Sequence, residues 1–342
     1  MKVLRFKKFL ILLIILGGAI ACQSQGNKEE VSTSDPADCR TIEHEAGETE
    51  VCGQPEQIVV LGPYVLEPLL ALGVQPIGFA DHIAFHQGEY DNPKEQIPYL
   101  GSLVTQPIAN VGLAYEPSIE AIALIQPDLI IGVQPNAKQY DALSQIAPTI
   151  LLNWSEPEKN LKGIAQAVNL SQQAEQLLKD REKQIAVARE AFAPVVATHP
   201  ELLLLFTSLN LQEINLGNPA GLCHSLVKEL GFQLVSLPEL KNSEPNSPNP
   251  ISIEILPRLN DAELALVFSV NSGELESINN FNQHQLSKTK QAWQENAIAQ
   301  SLDASKAGRV YFIPTYLCAG LPGVIGTELY LEELEQQLLP SK

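Results

Sequence analysis

Short, continuously apolar segments alternate with amphipathic segments along most of this chain. The apolar runs lie at residues 58–62, 76–80, 127–133, 147–153, 201–207, 233–237, 262–270 and 309–314. Runs of this length, rich in Val, Ile and Leu, are typical of strands that are buried on both faces. Amphipathic segments at residues 65–73, 116–126 and 222–231 have the spacing of helices. Strands that alternate with helices predict parallel sheets covered by helices on both faces.

The longest predicted element separates the first four strands from the last four. Residues 171–192 form one amphipathic helix, with Ser171 as its N-cap and Pro194 closing it. Its apolar side chains recur at helical spacing along one face: Ala174, Leu177, Leu178, Ile185 and Ala188. At about 1.5 Å per residue this helix is about 33 Å long, the span of a small domain. The pattern predicts two α/β lobes joined by one helix; the alternative is a crossover helix within one larger α/β domain.

A short internal repeat favours two similar lobes. The sequence Ser-Ile-Glu occurs at residues 118–120 and again at residues 252–254, each time at the start of a helix that precedes an apolar strand. The fold class is therefore α/β, with two Rossmann-like lobes whose central sheets are parallel. The predicted parts of the chain are a signal peptide at residues 1–21, a flexible tether at 22–38, an N-terminal hairpin at 39–55, an N-lobe at 56–160, a connecting helical segment at 161–193 and a C-lobe at 194–342.

The N-terminus has the pattern of an export signal. Basic residues at positions 2, 5, 7 and 8 precede an apolar core at residues 9–16, which is too short for a comfortable membrane span. The sequence Ala-Ile-Ala-Cys that ends at Cys22 resembles a bacterial lipoprotein signal, which implies that Cys22 is lipidated and that the exported chain is anchored to the membrane on its periplasmic side. Simple secretion is the alternative. Residues 23–38 are polar, as in a tether.

The charge of the chain excludes one class of partner. The 342 residues include 22 Lys and Arg against 40 Asp and Glu. Without the four bases of the signal, 18 basic residues face 40 acidic ones, a net charge near −22. A chain of this charge repels nucleic acid and anionic lipid. We therefore expect no nucleic-acid partner, membrane contact through the N-terminal lipid only, and a monomer.

Four further cysteines are candidates for disulfides in an exported chain. Cys39 and Cys52 flank an alternating segment with Ala-Gly at its centre, and a hairpin there would bring them together. Cys223 and Cys318 lie in Gly-rich loops of the second half and are candidates for a second bridge. Free, buried cysteine is the alternative for this second pair.

Ligands of parallel α/β sheets bind outside the carboxyl ends of the strands. The loops that follow the predicted strands carry mostly aromatic and neutral amide side chains. The candidate ligand contacts are Tyr64, His82, Asn136, Trp154, Asn210, Asn271, Tyr316 and Leu317. A cleft lined by such groups suits a mid-sized ligand held by stacking and hydrogen bonds. Each of these side chains can equally pack against or cap its own loop.

Catalytic and metal-binding signals are weak in this sequence. His82 and His86 are four residues apart, which on a helix would place both imidazoles on one face, but the other histidines are scattered and solvated or capping roles are favoured. The GxSxG, P-loop, GxGxxG and HExxH motifs are all missing from the sequence. We therefore expect no resident metal, no cofactor, no catalytic residue and no enzymatic activity.

These features together resemble one family, the substrate-binding proteins of bacterial ABC importers for iron–siderophore complexes and vitamin B12. The resemblance covers residues 56–335 and is carried by residues 57–80, 116–132, 171–192, 226–232 and 307–314. It implies two lobes with little hinge motion that clamp a ligand, here an Fe(III)–siderophore complex, and deliver it to an ABC permease for iron import. A B12 or haem binding protein, a zinc or manganese importer protein and an exported hydrolase are the alternatives.

The resemblance also implies roles for two acids. In this family one carboxylate on each lobe docks onto arginines of the permease, and Glu120 and Glu254 match those positions. The alternative is that each acid merely occupies the first turn of a helix, where the helix dipole favours negative charge.

The arginines distinguish this chain from ferric-citrate-type relatives, which hold an anionic complex with several arginines. None of the arginines after the tether begins lies in a predicted ligand loop: Arg40, Arg181, Arg189, Arg258 and Arg309. The sequence therefore indicates a less anionic chelate, such as a hydroxamate, or another bulky ligand such as a corrinoid.

Overall fold

The computed structural model describes residues 38–216, 222–240, 249–273, 275 and 277–340. The predicted signal, the Cys22 lipidation site and nearly all of the tether lie outside these residues. Two six-stranded sheets, each covered by helices, make up most of the described chain. This arrangement confirms the predicted fold class. Among the described helices, none has the length and apolar character that crossing a bilayer requires.

The first sheet has the strand order β6-β5-β4-β3-β7-β8. Its strands are β3 (Ile58–Leu61), β4 (Gly78–Asp81), β5 (Ala109–Leu113), β6 (Glu116–Pro117), β7 (Leu129–Val133) and β8 (Thr149–Leu152). The helices of this half are α1 (Pro63–Ala71), α2 (Pro93–Gln96), α3 (Ile119–Leu124), α4 (Tyr140–Ser144) and α5 (Pro157–Ala167). Ile58 and Val60 pack into one apolar cluster and Val59 and Leu61 into another on the opposite face. Burial on both faces explains why this strand is continuously apolar.

The second sheet has the order β12-β10-β9-β13-β14, with β11 also paired to β9. Its strands are β9 (Glu201–Thr207), β10 (Ile214–Leu216), β11 (Gln233–Leu234), β12 (Pro250–Ile251), β13 (Leu264–Ser269) and β14 (Val310–Pro314). The helices are α7 (Leu222–Glu229), α8 (Phe281–Glu295), α9 (Ala297–Ser301), α10 (Asp303–Lys306) and α11 (Val324–Leu338). β10 pairs with β9 in antiparallel fashion, so the segment that carries the predicted ligand contact Asn210 is the turn of a hairpin.

The helix α6 (Ser171–Thr198) joins the two halves. Ala174 and Leu178, near its start, are buried in the apolar cluster of the first sheet. Ile185, Ala188 and Phe192, further along, are buried in a cluster of the second sheet. One helix therefore contributes to both cores.

Two details of the α6 prediction are wrong. The helix has 28 residues and continues through Pro194, so it is about 42 Å long. A proline removes one N–H donor, but the following turn is supported by the Thr198 hydroxyl, which donates to the Pro194 and Val195 carbonyls. Ser171 is the first helical residue rather than the N-cap, which is Leu170.

A hairpin precedes the first sheet. β1 (Cys39–His44) and β2 (Gly47–Cys52) pair in antiparallel register, with Cys39 opposite Cys52 and a disulfide between them. The Glu45 N–H donates to the Leu151 carbonyl at 2.8 Å, and the Thr49 hydroxyl donates to the Thr149 carbonyl at 2.9 Å. The hairpin therefore covers the outer edge of β8.

The second disulfide joins Cys223 of α7 to Cys318. Cys318 belongs to a π-helical turn, Tyr316–Gly320, that follows β14. Both cysteines are fully buried in the core of the second half. The bridge therefore attaches this turn to the helical layer of its own lobe.

Candidate ligand-binding cleft

Aromatic side chains from both halves meet beside the carboxyl ends of β3 and β4. Tyr64 lies in the first turn of α1, directly after β3, and His82 follows β4. Gly62 has a φ of +123°, and a Cβ atom there would lie 2.2 Å from the Tyr64 ring. Only glycine therefore allows this ring to fold back over the start of its helix.

The His82 imidazole lies between two tyrosine rings. Its centroid is 6.4 Å from that of Tyr64 and 5.1 Å from that of Tyr316. The buried Asp81 carboxylate accepts the His82 backbone N–H at 2.7 Å and lies 3.0 Å from His82 Nδ1. Because an ionised carboxylate only accepts, His82 Nδ1 is the donor in this contact.

Tyr316 is the centre of the contact between the two halves. Its ring packs against Phe85 and Tyr99 of the first half and against Phe281 of the second half, with centroid distances of 6.1, 6.0 and 5.5 Å. Phe85 and Phe281 also meet edge to face at 5.2 Å. The Tyr99 hydroxyl donates to the Asn282 side chain. These rings form one buried aromatic cluster that joins the two halves.

Two hydroxyl groups in this cluster are buried without a hydrogen-bond partner among the described residues. Among the described residues, neither the Tyr64 hydroxyl nor the Tyr316 hydroxyl has a hydrogen-bond partner of normal geometry. Burial raises the pKa of both phenols, with smaller contributions from Tyr115 at Tyr64 and from Asp81 at Tyr316. Both groups are therefore neutral donors at physiological pH. Leaving a buried hydroxyl unpaired costs about 1–3 kcal/mol, which an incoming acceptor would recover.

The predicted amides are hydrogen-bonded to other groups of the protein. Asn136 is buried; its Oδ1 accepts from the Val133 N–H and its Nδ2 donates to the Ala114 carbonyl. Asn271 is also buried, and its Nδ2 donates to the His284 carbonyl. The Asn210 Oδ1 accepts from the backbone of the β9–β10 turn. These contacts are those of capping residues, and ligand contact by the three amides stays a prediction.

The two remaining predicted residues lie in different surroundings. Trp154 follows β8 and is 38% exposed. Leu317 is buried in the core of the second half. The structure therefore brings Tyr64, His82 and Tyr316 together, while ligand contact by Trp154 and Leu317 stays a prediction.

Sequence reasoning missed several members of the cleft. Phe85 lies in the His-Ile-Ala-Phe-His segment, where only the histidines were considered. Tyr115 stacks on Tyr64 at 6.4 Å and is 44% exposed at the mouth of the cluster. Tyr99 follows α2 and Phe281 begins α8, and both were missed because these segments carry little apolar periodicity. A count of the aromatic residues in all loops would have found Phe85 and Tyr115.

His82 and His86 do not lie on one helical face. The segment at residues 82–88 is irregular rather than helical, so the spacing of four does not place the imidazoles on one face. His86 Nε2 lies 2.9 Å from the Glu89 carbonyl, whereas His82 contacts Asp81.

All five arginines of the described chain are engaged by protein groups. Arg40 donates to the carbonyls of Gln166 and Ala167, and Arg181 to Thr327 and Glu158. The other three are bound in the second half: Arg189 to the Glu229 carbonyl, Arg258 to the Glu239 carboxylate and Arg309 to the Glu263 carbonyl. The aromatic cluster is therefore built without arginine.

Comparison with known proteins identifies the family. The model of the family described as "Periplasmic binding protein" matches residues 58–317, about three quarters of the chain. The chain belongs to the periplasmic binding protein family. This family consists of substrate-binding proteins, so the resemblance drawn from the sequence is confirmed at this level.

Individual members of this family are similar over almost the whole chain. A probable siderophore-binding lipoprotein of Bacillus subtilis, YfiY, is 25% identical over 98% of this chain and 97% of its own length. The Fe(3+)-citrate-binding protein YfmC of the same bacterium is 27% identical over 88% of this chain and 86% of its own. Staphylococcus aureus SirA, solved with staphyloferrin B, has a TM-score of 0.68 and 22% identity over 87% of this chain and 98% of its own.

A buried carboxylate connects the lobes on the other side of α1. Glu67, one turn after Tyr64, accepts the backbone N–H groups of Gly323, Ile325 and Gly326 at 2.7, 2.8 and 3.0 Å. These groups open α11, so Glu67 satisfies orphan donors of a helix that belongs to the second half. Burial raises the pKa of the Glu67 carboxyl, while the three donors and Arg181 act in the opposite direction.

The two Ser-Ile-Glu segments adopt related structures. Ser118 caps α3 by accepting the Ala121 N–H at 3.2 Å, and Glu120 is exposed in the first turn. Ser252 precedes a 3-10 helix, Ile253–Leu259, in which Glu254 is exposed and accepts from the Ser252 hydroxyl. Both acids are therefore accessible to a partner.

Proposed function

We propose that this chain is a lipid-anchored substrate-binding protein that holds a ferric siderophore between its two lobes and delivers it to an ABC permease for iron import. The family membership and the named iron-binding relatives support this function. No catalysis by the chain itself is part of the proposal.

The observation that carries the proposal is the aromatic cluster with its two unpaired phenols. Iron chelates are large, rigid and rich in oxygen acceptors, so stacked rings and neutral O–H donors suit them. Tyr64 and Tyr316 supply the donors from the two lobes, and the exposed ring of Tyr115 supplies a stacking surface at the mouth. A ligand that accepts from both hydroxyls would connect the lobes directly.

The arginine contacts narrow the class of chelate. An anionic ligand such as ferric citrate needs fixed positive charge, and every arginine of the described chain is already bound elsewhere. We propose a chelate of low net charge, such as a ferric hydroxamate.

The finer assignments belong to the same proposal: Cys22 as the lipidation site, residues 22–38 as the tether, the lobe boundaries at residues 56–160 and 194–342, and Glu120 and Glu254 as the permease-docking acids.

Fluorescence quenching of the purified chain tests this function. The probes are ferric hydroxamate, ferric catecholate and ferric citrate chelates, with cobalamin and haem as the alternatives. The protein has two tryptophans, of which Trp154 is partly exposed and Trp293 is buried. Saturable quenching by one ferric chelate at micromolar or lower concentration, retained with reduced amplitude in Trp154→Phe, is the expected result. Saturation by cobalamin or haem alone, or by none of the probes in calorimetry, would overturn the proposal.

A further inference from the structure

Leu124 is the most exposed of the large apolar side chains in the described chain. It is 83% exposed at the end of α3, whereas the next, Val187 on α6, is 68% exposed. Residues four apart on a helix lie on the same face, with about 5–6 Å between their Cβ atoms. Leu124 therefore lies beside Glu120, and the two together present an acid and a bare apolar side chain on one surface.

The second lobe has different side chains in its Ser-Ile-Glu segment, which is a 3-10 helix. In the other Ser-Ile-Glu segment the residue four after Glu254 is Arg258, which forms two hydrogen bonds to the Glu239 carboxylate at 2.7 and 3.1 Å. The charge of Arg258 is thus already paired within the protein. The 3-10 helix Ile253–Leu259 carries no exposed large apolar side chain, whereas α3 exposes Leu124 beside Glu120.

We propose that Leu124 is an apolar anchor that inserts into the permease beside the base bound by Glu120. This inference rests on the docking role proposed for Glu120 and Glu254. The occupant is a membrane-protein surface with a basic side chain next to an apolar recess. Burying a leucine there excludes water from the ion pair and strengthens it. The contact through Glu254 lacks this component, so the two lobes dock with different strengths and the orientation of docking is fixed.

Charge and size argue against a second copy of the same chain as the occupant. The chain carries an excess of acid near −18, so a like-charged surface would be brought against Glu120. One exposed leucine also offers far less area than the about 800 Å² per partner of a stable interface. A partner with a basic side chain next to an apolar recess complements both Glu120 and Leu124.

Uptake of radioactive iron tests the inference. The probe is iron added with medium from iron-starved cultures of the host, and the full-length chain is expressed in cells that lack it. Leu124→Gln is compared with Val187→Gln, the matched exposed apolar control, at equal protein levels. When the binding protein is limiting, we expect Leu124→Gln to reduce iron uptake about 10-fold or more. This is the loss of affinity for the permease that follows when one buried leucine side chain is removed from an interface. Val187→Gln should stay within about twofold of wild type.

A second pair of variants separates failure of this inference from failure of the docking proposal. Glu120→Gln with Glu254→Gln should abolish uptake without changing ligand quenching. Normal uptake by Leu124→Gln, with uptake lost in the double variant, would overturn the role of Leu124 alone. Normal uptake by the double variant would overturn the docking proposal itself. Equal losses in Leu124→Gln and Val187→Gln would also overturn the inference, because the effect would not be specific to the surface beside Glu120.

Discussion

The Glu67 carboxylate accepts the backbone N–H of Gly323 at 2.7 Å, across 256 positions of sequence. Glu67 belongs to the helix that carries Tyr64, and Gly323 opens the helix that follows the Tyr316 turn. A Cβ atom at residue 323 would lie 2.7 Å from the Glu67 oxygens, so glycine is required for this approach. The contact fixes the two lobes relative to each other behind the aromatic cluster.

Removing the Glu67 carboxylate should destabilise the protein and weaken the cleft. Glu67→Ala leaves one buried and two partly buried N–H groups without their acceptor, so we expect the free energy of unfolding to fall by about 3 kcal/mol. Glu67→Gln retains one carbonyl acceptor, so its free energy of unfolding should fall by less. Urea denaturation of the purified variants measures both effects. Glu328→Gln, a change at an exposed residue of α11, is the control. Similar losses of stability in Glu328→Gln and in Glu67→Gln would contradict the interlobe role.

Removing the two unpaired hydroxyls should lower the affinity for ligand without lowering the stability of the free protein. In Tyr64→Phe and Tyr316→Phe a buried group without a partner disappears, so the free protein should be as stable as wild type or slightly more stable. Affinity for the chelate should fall about 10-fold for each, the value of one hydrogen bond to ligand. Parallel thermal melts and quenching titrations check this. Loss of stability with unchanged affinity would show that the hydroxyls serve the fold and do not contact the ligand.

The charge of the ligand should decide its affinity. Because the described arginines are all bound within the protein, we expect a ferric hydroxamate to bind at least about 10-fold more tightly than ferric citrate. We also expect its affinity to change little with salt, since screening weakens only charged contacts. Calorimetry at low and high ionic strength measures both quantities. Preferential, salt-sensitive binding of ferric citrate would contradict the expectation.

The two disulfides should contribute unequally to stability. The Cys223–Cys318 bridge closes a separation of 95 residues and the Cys39–Cys52 bridge one of 13. Chain-entropy estimates for these separations are roughly 4–5 and roughly 3 kcal/mol. Replacing Cys223 and Cys318 by Ala should therefore cost more and, because the Tyr316 turn loses its attachment, weaken ligand binding. Denaturation and quenching of both Ala pairs test this; unchanged affinity in the first pair would contradict the second part.

Alkaline pH should unfold the protein through its buried tyrosines. Burial raises the pKa of five of the eight tyrosines well above the ordinary 10.0: Tyr64, Tyr90, Tyr99, Tyr316 and Tyr330. A raised pKa in the folded state means that stability is fully present below pH 10 and is lost as pH rises further. Phenolate absorbance from these five rings should appear only as the circular dichroism signal is lost. Ionisation of these five tyrosines while the protein is still folded would contradict their burial.

The order of elements could be predicted because it depends on local pattern. Each buried strand has a continuous apolar run: the predicted run at residues 201–207 is the strand β9, Glu201–Thr207. The apolar face of α6 is likewise visible in Ala174, Ile185 and Ala188. Such periodicity is set by burial, which acts on every residue of an element.

Contacts between distant residues could not be predicted in the same way. The pairing of β10 with β9 depends on a turn around Asn210, and the continuation of α6 past Pro194 depends on packing of its last turns. Glu67 has no sequence signal, because it is one acid within an apolar helix. The aromatic cluster joins Phe85 and Phe281, whose proximity follows only from the placement of the two lobes.

The hairpin over β8 has a consequence for copies of the chain that are crowded on one surface. An exposed edge strand is a template for pairing with another molecule. Here the Thr149 and Leu151 carbonyls that would accept a foreign strand are already occupied by Thr49 and Glu45. The Cys39–Cys52 bridge keeps that cover in place, so the hairpin blocks pairing of neighbouring molecules through the β8 edge.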